Sequence, residues 1–323
     1  MPLPSDERVV KLASELIAQF DTMFGLHPGF RPAHAKGLLL NGTFTPSALA
    51  LSLTRAPHVT RASTLVTTPV TARFSNSTGI PMLPDNDPNA NPRGFAVRFN
   101  LAEHVHTDII GHSTDGFPTH TGEEFLEFLR AAGASGPGAP SPSPIEKFLG
   151  THPAALAFVQ APKPSPVSFA REAFFGVTAF RFINREGVAN YGRYRITPVA
   201  GVEHLDDAAA KSKDPDYLFE ELRERVARQA VEFDIHVQVA DAGDVVDDAT
   251  QHWPMSRRLV PFGRIALNEV VPDSEAQQRQ IIFDPIPRVD GIEASADPLL
   301  ELRAAVYLLS GRRRRQAPAA RTA

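Results

Sequence analysis

Apolar and polar positions alternate with two different periods along the chain. Residues 5–24 carry Val9, Leu12, Leu16 and Phe20 at helical spacing, so they share a face, with Ser5 as the expected N-cap. After the Gly/Pro-rich connector GLHPGFRPAHAKG, the period shortens to two. HVTRASTLVT (58–67), VTARFSN (70–76), GFAVRFNLA (94–102) and EHVHTDIIG (103–111) then read as strands. Thr121 and Glu124 form a capping box that opens a helix running to about residue 133. The patternless Gly/Ser/Pro stretch 133–144 is expected to be a flexible linker, and short helices follow at 144–149 and 153–160. Strand character returns at 174–197, with a hairpin across Glu186 and Gly187, and a charged helix spans 214–229. VEFDIHVQVAD (231–241), GRIALNEV (263–270) and QRQIIFDP (278–285) are further predicted strands.

The last helix covers 296–310, with Asp297 as N-cap, Pro298 inside its first turn and Gly311 as its stop. Leu299, Leu302, Val306 and Leu309 form its inward face. Runs of strands without regular βαβ alternation predict an α+β fold in one domain. Its expected form is an antiparallel β-barrel of about eight strands with surrounding helices.

Composition narrows the function classes. Hydrophobic residues make up 42% and charged residues 22% of the 323, as in a soluble globular protein. A net charge of −4 argues against nucleic-acid binding, although the tail 312–323 is locally basic. No apolar run reaches the roughly 18 residues a membrane span needs, and the N-terminus has no signal-peptide core, so a cytoplasmic location is expected. With no cysteine, disulfides, thiolate haem ligation and cysteine-bound zinc or iron–sulfur sites are excluded.

The candidate chemistry begins on the last helix. Beside its inward face lies a second stripe of Arg303, Tyr307, Ser310 and, if the helix outlasts Gly311, Arg314. Residues four apart stack, which places the Arg303 guanidinium beside Tyr307. An adjacent cation favours the ionised phenol, a hard anionic ligand for ferric iron. Taken alone, the pair reads more readily as the ordinary surface of an amphipathic helix. The chain uses 21 Phe and 4 Tyr, so bulk alone would more readily be supplied by Phe. His34, in RPAHAKG, is a lone loop histidine; Ser75, at the end of a strand, could accept from an imidazole N–H and set its tautomer. Arg31, Arg73 and Arg314 have the fork geometry that suits carboxylates. A rival centre is His104 and His106 with Asp108, which alternation places on one strand face as a metal site would require.

Together these pieces resemble the haem catalase family from about Arg31 to Arg314. The matching stretches, in common order, are RPAHAKG, ARFS, NPRGFAVRF, DIIGHSTDGF, DPDYLFEEL, HWP, VPFGRIALNE, FDPIPRVDGIEAS and RAAVYLLSGRRR. The resemblance implies that His34 is the distal catalytic histidine, oriented by Ser75. It implies that Tyr307 is the proximal iron ligand, kept ionised by Arg303, and that Arg31, Arg73 and Arg314 hold the propionates of haem b. Phe117 and Phe125 match phenylalanines packed near the haem.

Several departures point to the small catalase-related peroxidases. His112 followed by Ser113 stands where catalases carry an essential distal asparagine, and Asn91 replaces the channel aspartate. The long amino-terminal arm, much of the wrapping segment and a carboxy-terminal domain have no counterpart, which favours a homodimer over the family's interlocked tetramer. Arg195 and Met255 occupy positions that hold NADPH in larger catalases, so NADPH is not expected. The resemblance implies a peroxidase reducing hydrogen peroxide or organic hydroperoxides with small organic electron donors, and weak in catalase activity. A fatty-acid hydroperoxide isomerase or dehydratase of the allene-oxide-synthase kind, or a non-catalytic haem carrier, would use the same pocket.

Overall fold

The structure is a computed structural model that describes residues 2–61 and 66–318. Its strands are β1 (Gly37–Pro46), β2 (Thr68–Ser75), β3 (Gly94–Ala102), β4 (Val105–His112), β5 (Phe174–Phe175), β6 (Phe180–Ile183), β7 (Ala189–Pro198), β8 (Val231–Val239), β9 (Leu259–Val270) and β10 (Ile292–Ala294). The order β7-β5-β4-β3-β2-β1-β9-β8 returns to β7, which also pairs with β8, so eight antiparallel strands close into a barrel. β6 takes the first part of the β7 edge that β5 takes further along, and β10 adds to β6 outside the ring. Closure leaves no open edge in the ring, which is how a sheet of this size avoids pairing with other chains.

Helices surround the barrel: α1 (Glu7–Phe24), α2 (Pro57–Thr60), α3 (Gly122–Gly133), α4 (Pro144–Thr151), α5 (Pro153–Gln160), α6 (Asp207–Lys211), α7 (Tyr217–Arg228), α8 (Ser274–Gln280) and α9 (Leu299–Gln316). None among the described residues is long and apolar enough to cross a membrane.

Alternation explains the core. Inward positions of the strands supply Leu38, Leu40, Phe44, Phe74, Phe95, Phe99, Phe233 and Phe262, all buried in one cluster. Full burial of each such side chain stabilises the fold by about 1.5–3 kcal/mol. A second cluster lies outside the barrel, where Leu16 of α1, Leu126 and Leu129 of α3, and Leu302 and Ala305 of α9 meet. The apolar faces read from helical spacing therefore pack on one another and fix α9 in place.

Several sequence expectations need correction. The cap of α1 is Asp6, whose carboxylate accepts from the Arg8 N–H at 2.9 Å, and not Ser5. The strand expected over 58–67 begins as the short helix α2, set by Pro57 at its first position; residues 62–65 lie outside the described residues. β1 lies in a stretch for which the pattern predicts no element; at Asn41 and Gly42 it bulges, pairing to β9 slips by one residue, and a side chain at Gly42 would overlap the Ala266 carbonyl. The strand expected at 278–285 is the end of α8 followed by an unpaired extended segment. Arginine side chains satisfy that segment in place of a neighbouring strand. Arg315 donates to the Gln280 carbonyl at 3.1 Å, Arg31 and Arg314 donate to Ile281 at 3.2 and 2.8 Å, and Arg98 donates to Ile282.

Gly311 does not end α9. The helix runs through it to Gln316, because the missing side chain leaves room for Ile282. The helix starts later than expected, at Leu299, with Pro298 and not Asp297 at its cap position; the Asp297 carboxylate, one residue earlier, accepts from the Leu299 N–H at 2.9 Å. The basic tail is thus helical as far as Gln316, and residues 319–323 lie outside the described residues.

Candidate active site

Three neighbouring strands build one wall of the site. In register, Ser75 of β2 faces Gly94 of β3, and Gly94 faces His112 of β4. The loop between α1 and β1 lays His34 over this row, with Nδ1 at 3.2 Å from the Ser75 hydroxyl. Gly94 makes that possible: a Cβ there would lie 2.5 Å from Ser75 Oγ and 2.7 Å from His34 Nδ1. The His34 backbone has φ of 56°, in the left-handed region that few side chains adopt. Its N–H donates to the Ser77 carbonyl at 2.8 Å, and its own carbonyl accepts from Arg73 at 2.8 Å. These bonds hold a conformation that would otherwise relax.

The facing wall is α9. Arg303, Tyr307, Ser310 and Arg314 line the same cavity as His34, Ser75 and His112. Arg303 donates to the Tyr307 hydroxyl at 3.4 Å, one helical turn away, and its guanidinium carbon lies 5.8 Å from the ring centre. The cavity measures about 250 Å³. Its remaining lining is largely apolar and includes Phe117 and Phe125, whose rings are 4.9 Å apart.

Electrostatics set this cavity apart. Four arginines (Arg31, Arg73, Arg303 and Arg314) line it, and no Asp or Glu does so among the described residues. Arg73 is held by Gln278 at 2.8 Å, and Arg314 by Ser310 at 2.8 Å, while Arg314 Nε has no partner among the described residues. Burial, then the neighbouring Arg314, pulls Arg73 down to about 9. Burial, then Arg31, pulls Arg314 down to about 8. Arg31 lies well below its ordinary value for the same cause, with Arg73 second. Burial, then Arg73 and His112, lowers His34 to about 3, and burial, then Arg303, lowers His112 to about 4. Both imidazoles are therefore neutral near pH 7, and the positive charge stays on the guanidinium groups.

The residues expected around a haem pocket all line this one cavity: Arg31, His34, Arg73, Ser75, His112, Phe117, Phe125, Arg303, Tyr307, Ser310 and Arg314. The rival metal centre does not form. His104 sits in the exposed β3–β4 turn, and Asp108 is taken by Arg98 at 2.8 and 3.0 Å. No cluster of His, Cys, Asp or Glu able to hold a metal occurs among the described residues. Sequence reasoning did not single out Gly94, Gln278 or the Ile281 carbonyl. Only Gly94 left a signal, as a glycine opening a strand where a side chain would otherwise be favoured.

Comparison with known proteins gives three concordant findings. A family model described as "Catalase" matches residues 20–320. A catalase-related peroxidase of Mycolicibacterium paratuberculosis is 36% identical over 88% of this chain and 89% of its own length. Another from Synechococcus elongatus is 31% identical over 92% of this chain and 86% of its own. Among solved structures, catalase A from Saccharomyces cerevisiae superposes with a TM-score of 0.79 at 23% identity over 97% of this chain. The chain spans 65% of the length of that structure.

Proposed function

Because the chain belongs to the catalase family, we propose that it is a haem-dependent peroxidase, one that reduces hydrogen peroxide or organic hydroperoxides with electrons from small organic donors and has only weak catalase activity. The family assignment makes it an oxidoreductase acting on peroxide. The observation that carries the finer reading is the cavity itself. It has apolar walls, a phenol backed by a guanidinium on one side, a neutral imidazole on the other, and arginines with no Asp or Glu among the described residues of its lining.

That donor set fits haem b. The apolar walls suit a flat macrocycle, and Arg31, Arg73 and Arg314 suit its two carboxylates, with Arg314 Nε still unpartnered. Tyr307 would hold the ferric iron through its phenolic oxygen, with Arg303 beside it. When bound, haem supplies the redox chemistry that breaks the O–O bond.

The chain's own part is proton management. With Nδ1 turned to Ser75, His34 offers Nε2 to substrate. There it takes the proton from one peroxide oxygen and returns it to the other, which leaves as water or as an alcohol. General acid–base assistance of this kind is worth roughly 10²–10⁴-fold. The depressed pKa of His34 keeps Nε2 free to accept that proton at neutral pH.

The test is peroxide-driven oxidation of a phenolic donor by the haem-loaded protein. His34→Ala should lower kcat by at least about 10²-fold. A protein that rearranges a lipid hydroperoxide with no donor present, or whose turnover ignores His34→Ala, contradicts this reading.

A further inference from the structure

His34, Ser75 and Gly94 face the cavity, but their near neighbours in the chain do not. Lys36 lies two residues past His34, Asn76 follows Ser75 and Arg93 precedes Gly94, and none of these three lines the cavity. All three converge on Asp85, in the loop between β2 and β3, whose side chain is fully buried. Asp85 Oδ1 accepts from Lys36 Nζ and from Asn76 Nδ2, both at 2.8 Å, and Oδ2 accepts from the Leu218 N–H of α7 at 3.0 Å. Arg93 donates to the Asp85 carbonyl at 2.6 Å and also to Asn76 Oδ1.

This knot bears on His34. β1 and β2 are in register at Gly37 and Ser75, and one step further out the Asn76 N–H still donates to the Lys36 carbonyl at 3.1 Å. The two side chains on that step are the two that share Asp85 Oδ1. Fastening them sets how the His34 loop lies against the end of β2, and with it the 3.2 Å contact of His34 Nδ1 with Ser75. The loop needs fastening, because His34 at φ of 56° keeps its conformation only while its surroundings hold it. Burial lowers the His34 pKa; against it, the Asn76 backbone hydrogen-bonds the ring in the sense that favours a proton.

We propose that Asp85 is a positioning residue for His34, its carboxylate fixing the loop and the end of β2 to one another without touching substrate. This rests on the peroxidase reading above. Asp216 also pairs with Lys36, but it is exposed, and its loss leaves the bonds of Asp85 to Asn76 and Leu218 in place.

Two measurements test this. The first is nitrogen NMR of the full-length haem-free chain carrying ¹⁵N-labelled histidine, with the His34 signals identified by their loss in His34→Ala. The unmutated protein should show a single His34 tautomer. Asp85→Asn and Asn76→Ala should shift or broaden the His34 signals, while those of His58, enclosed by Phe44, Phe99 and Phe262, stay in place and report an intact fold. Unchanged His34 signals in both variants overturn the proposal. Should Asp85→Asn fail to fold, Asn76→Ala alone decides.

The second is donor oxidation per bound haem. Both variants should lose roughly 10- to 100-fold in kcat with KM for the donor changed less than about threefold, and Asp216→Asn should stay within about twofold. In a His34→Ala background, Asp85→Asn should cost less than about twofold, because a residue acting through His34 then has nothing to act on. Equal losses in the two backgrounds mean a purely structural role and overturn the proposal. Absence of peroxide turnover in the unmutated protein overturns the peroxidase reading instead, and the NMR comparison then decides alone whether Asp85 places His34.

Discussion

Gly94 shows how much one missing side chain can carry. It separates Ser75 from His112 and gives the His34 ring the place it occupies, so Gly94→Ala must displace either the imidazole or its serine partner. The expected outcome is loss of about 10²-fold in donor oxidation with little change in thermal midpoint, read by kinetics and calorimetry on the same samples. Buried histidines also set a pH dependence. His58 is enclosed by Phe44, Phe99 and Phe262, and burial, then Arg61, lowers it to about 3. Its unfolded value is near 6.5, so between those limits the unfolded chain binds more protons. The stability it contributes is complete above about pH 6.5 and declines as pH falls, by about 1.4 kcal/mol per pH unit. Urea unfolding from pH 7 to 5 should therefore show a steeper loss in the unmutated protein than in His58→Phe; equal slopes would contradict this. At this scale the sequence was informative where a side chain bears the chemistry, as for Tyr307, His34 and the arginines. It was silent where backbone does, as with the Ile281 carbonyl and the space over Gly94.

At the scale of elements, legibility followed periodicity. β3 and β8 alternate over most of their length because one face meets the phenylalanine core, whereas β4 and β7 are buried on both faces over their middles and were legible from their β-prone residues and the turn at Glu186 and Gly187. β1 hides its character behind Asn41 and Gly42, a local turn signal that the sheet overrides by bulging. Gly311 misleads in the same way: a glycine near a helix end usually marks a stop, but here it admits Ile282. Both are positions where tertiary contact, invisible to local pattern, decided the conformation. A side chain at Gly42 would meet backbone, which cannot move aside as a flexible side chain can. Gly42→Ala should accordingly cost about 1–3 kcal/mol in denaturant unfolding; a variant as stable as the parent would mean the bulge is more yielding than the structure shows. The segment 278–285 is the complementary case. Its apolar, β-prone residues form no ladder among the described residues, and Arg31, Arg314 and Arg315 take its carbonyl groups instead.

For the whole molecule, a closed barrel supplies one wall of the cavity, and α9, clamped by α1 and α3, supplies the other. The arginine-lined space between them, which no Asp or Glu among the described residues enters, is complementary to a flat apolar ligand carrying carboxylates. Metal-free protoporphyrin IX should therefore bind at least tenfold more tightly than its dimethyl ester in fluorescence titration, because esterification removes the charges that answer Arg31, Arg73 and Arg314. Equal affinities would leave those arginines without the proposed role. The absorption spectrum of the protein purified from haem-supplemented cultures tests the central claim most directly. Iron held by the Tyr307 oxygen should give a high-spin ferric haem spectrum lacking the features of histidine or thiolate ligation, and Tyr307→Phe should abolish it. Colourless protein, or a spectrum unchanged by that substitution, would contradict the account.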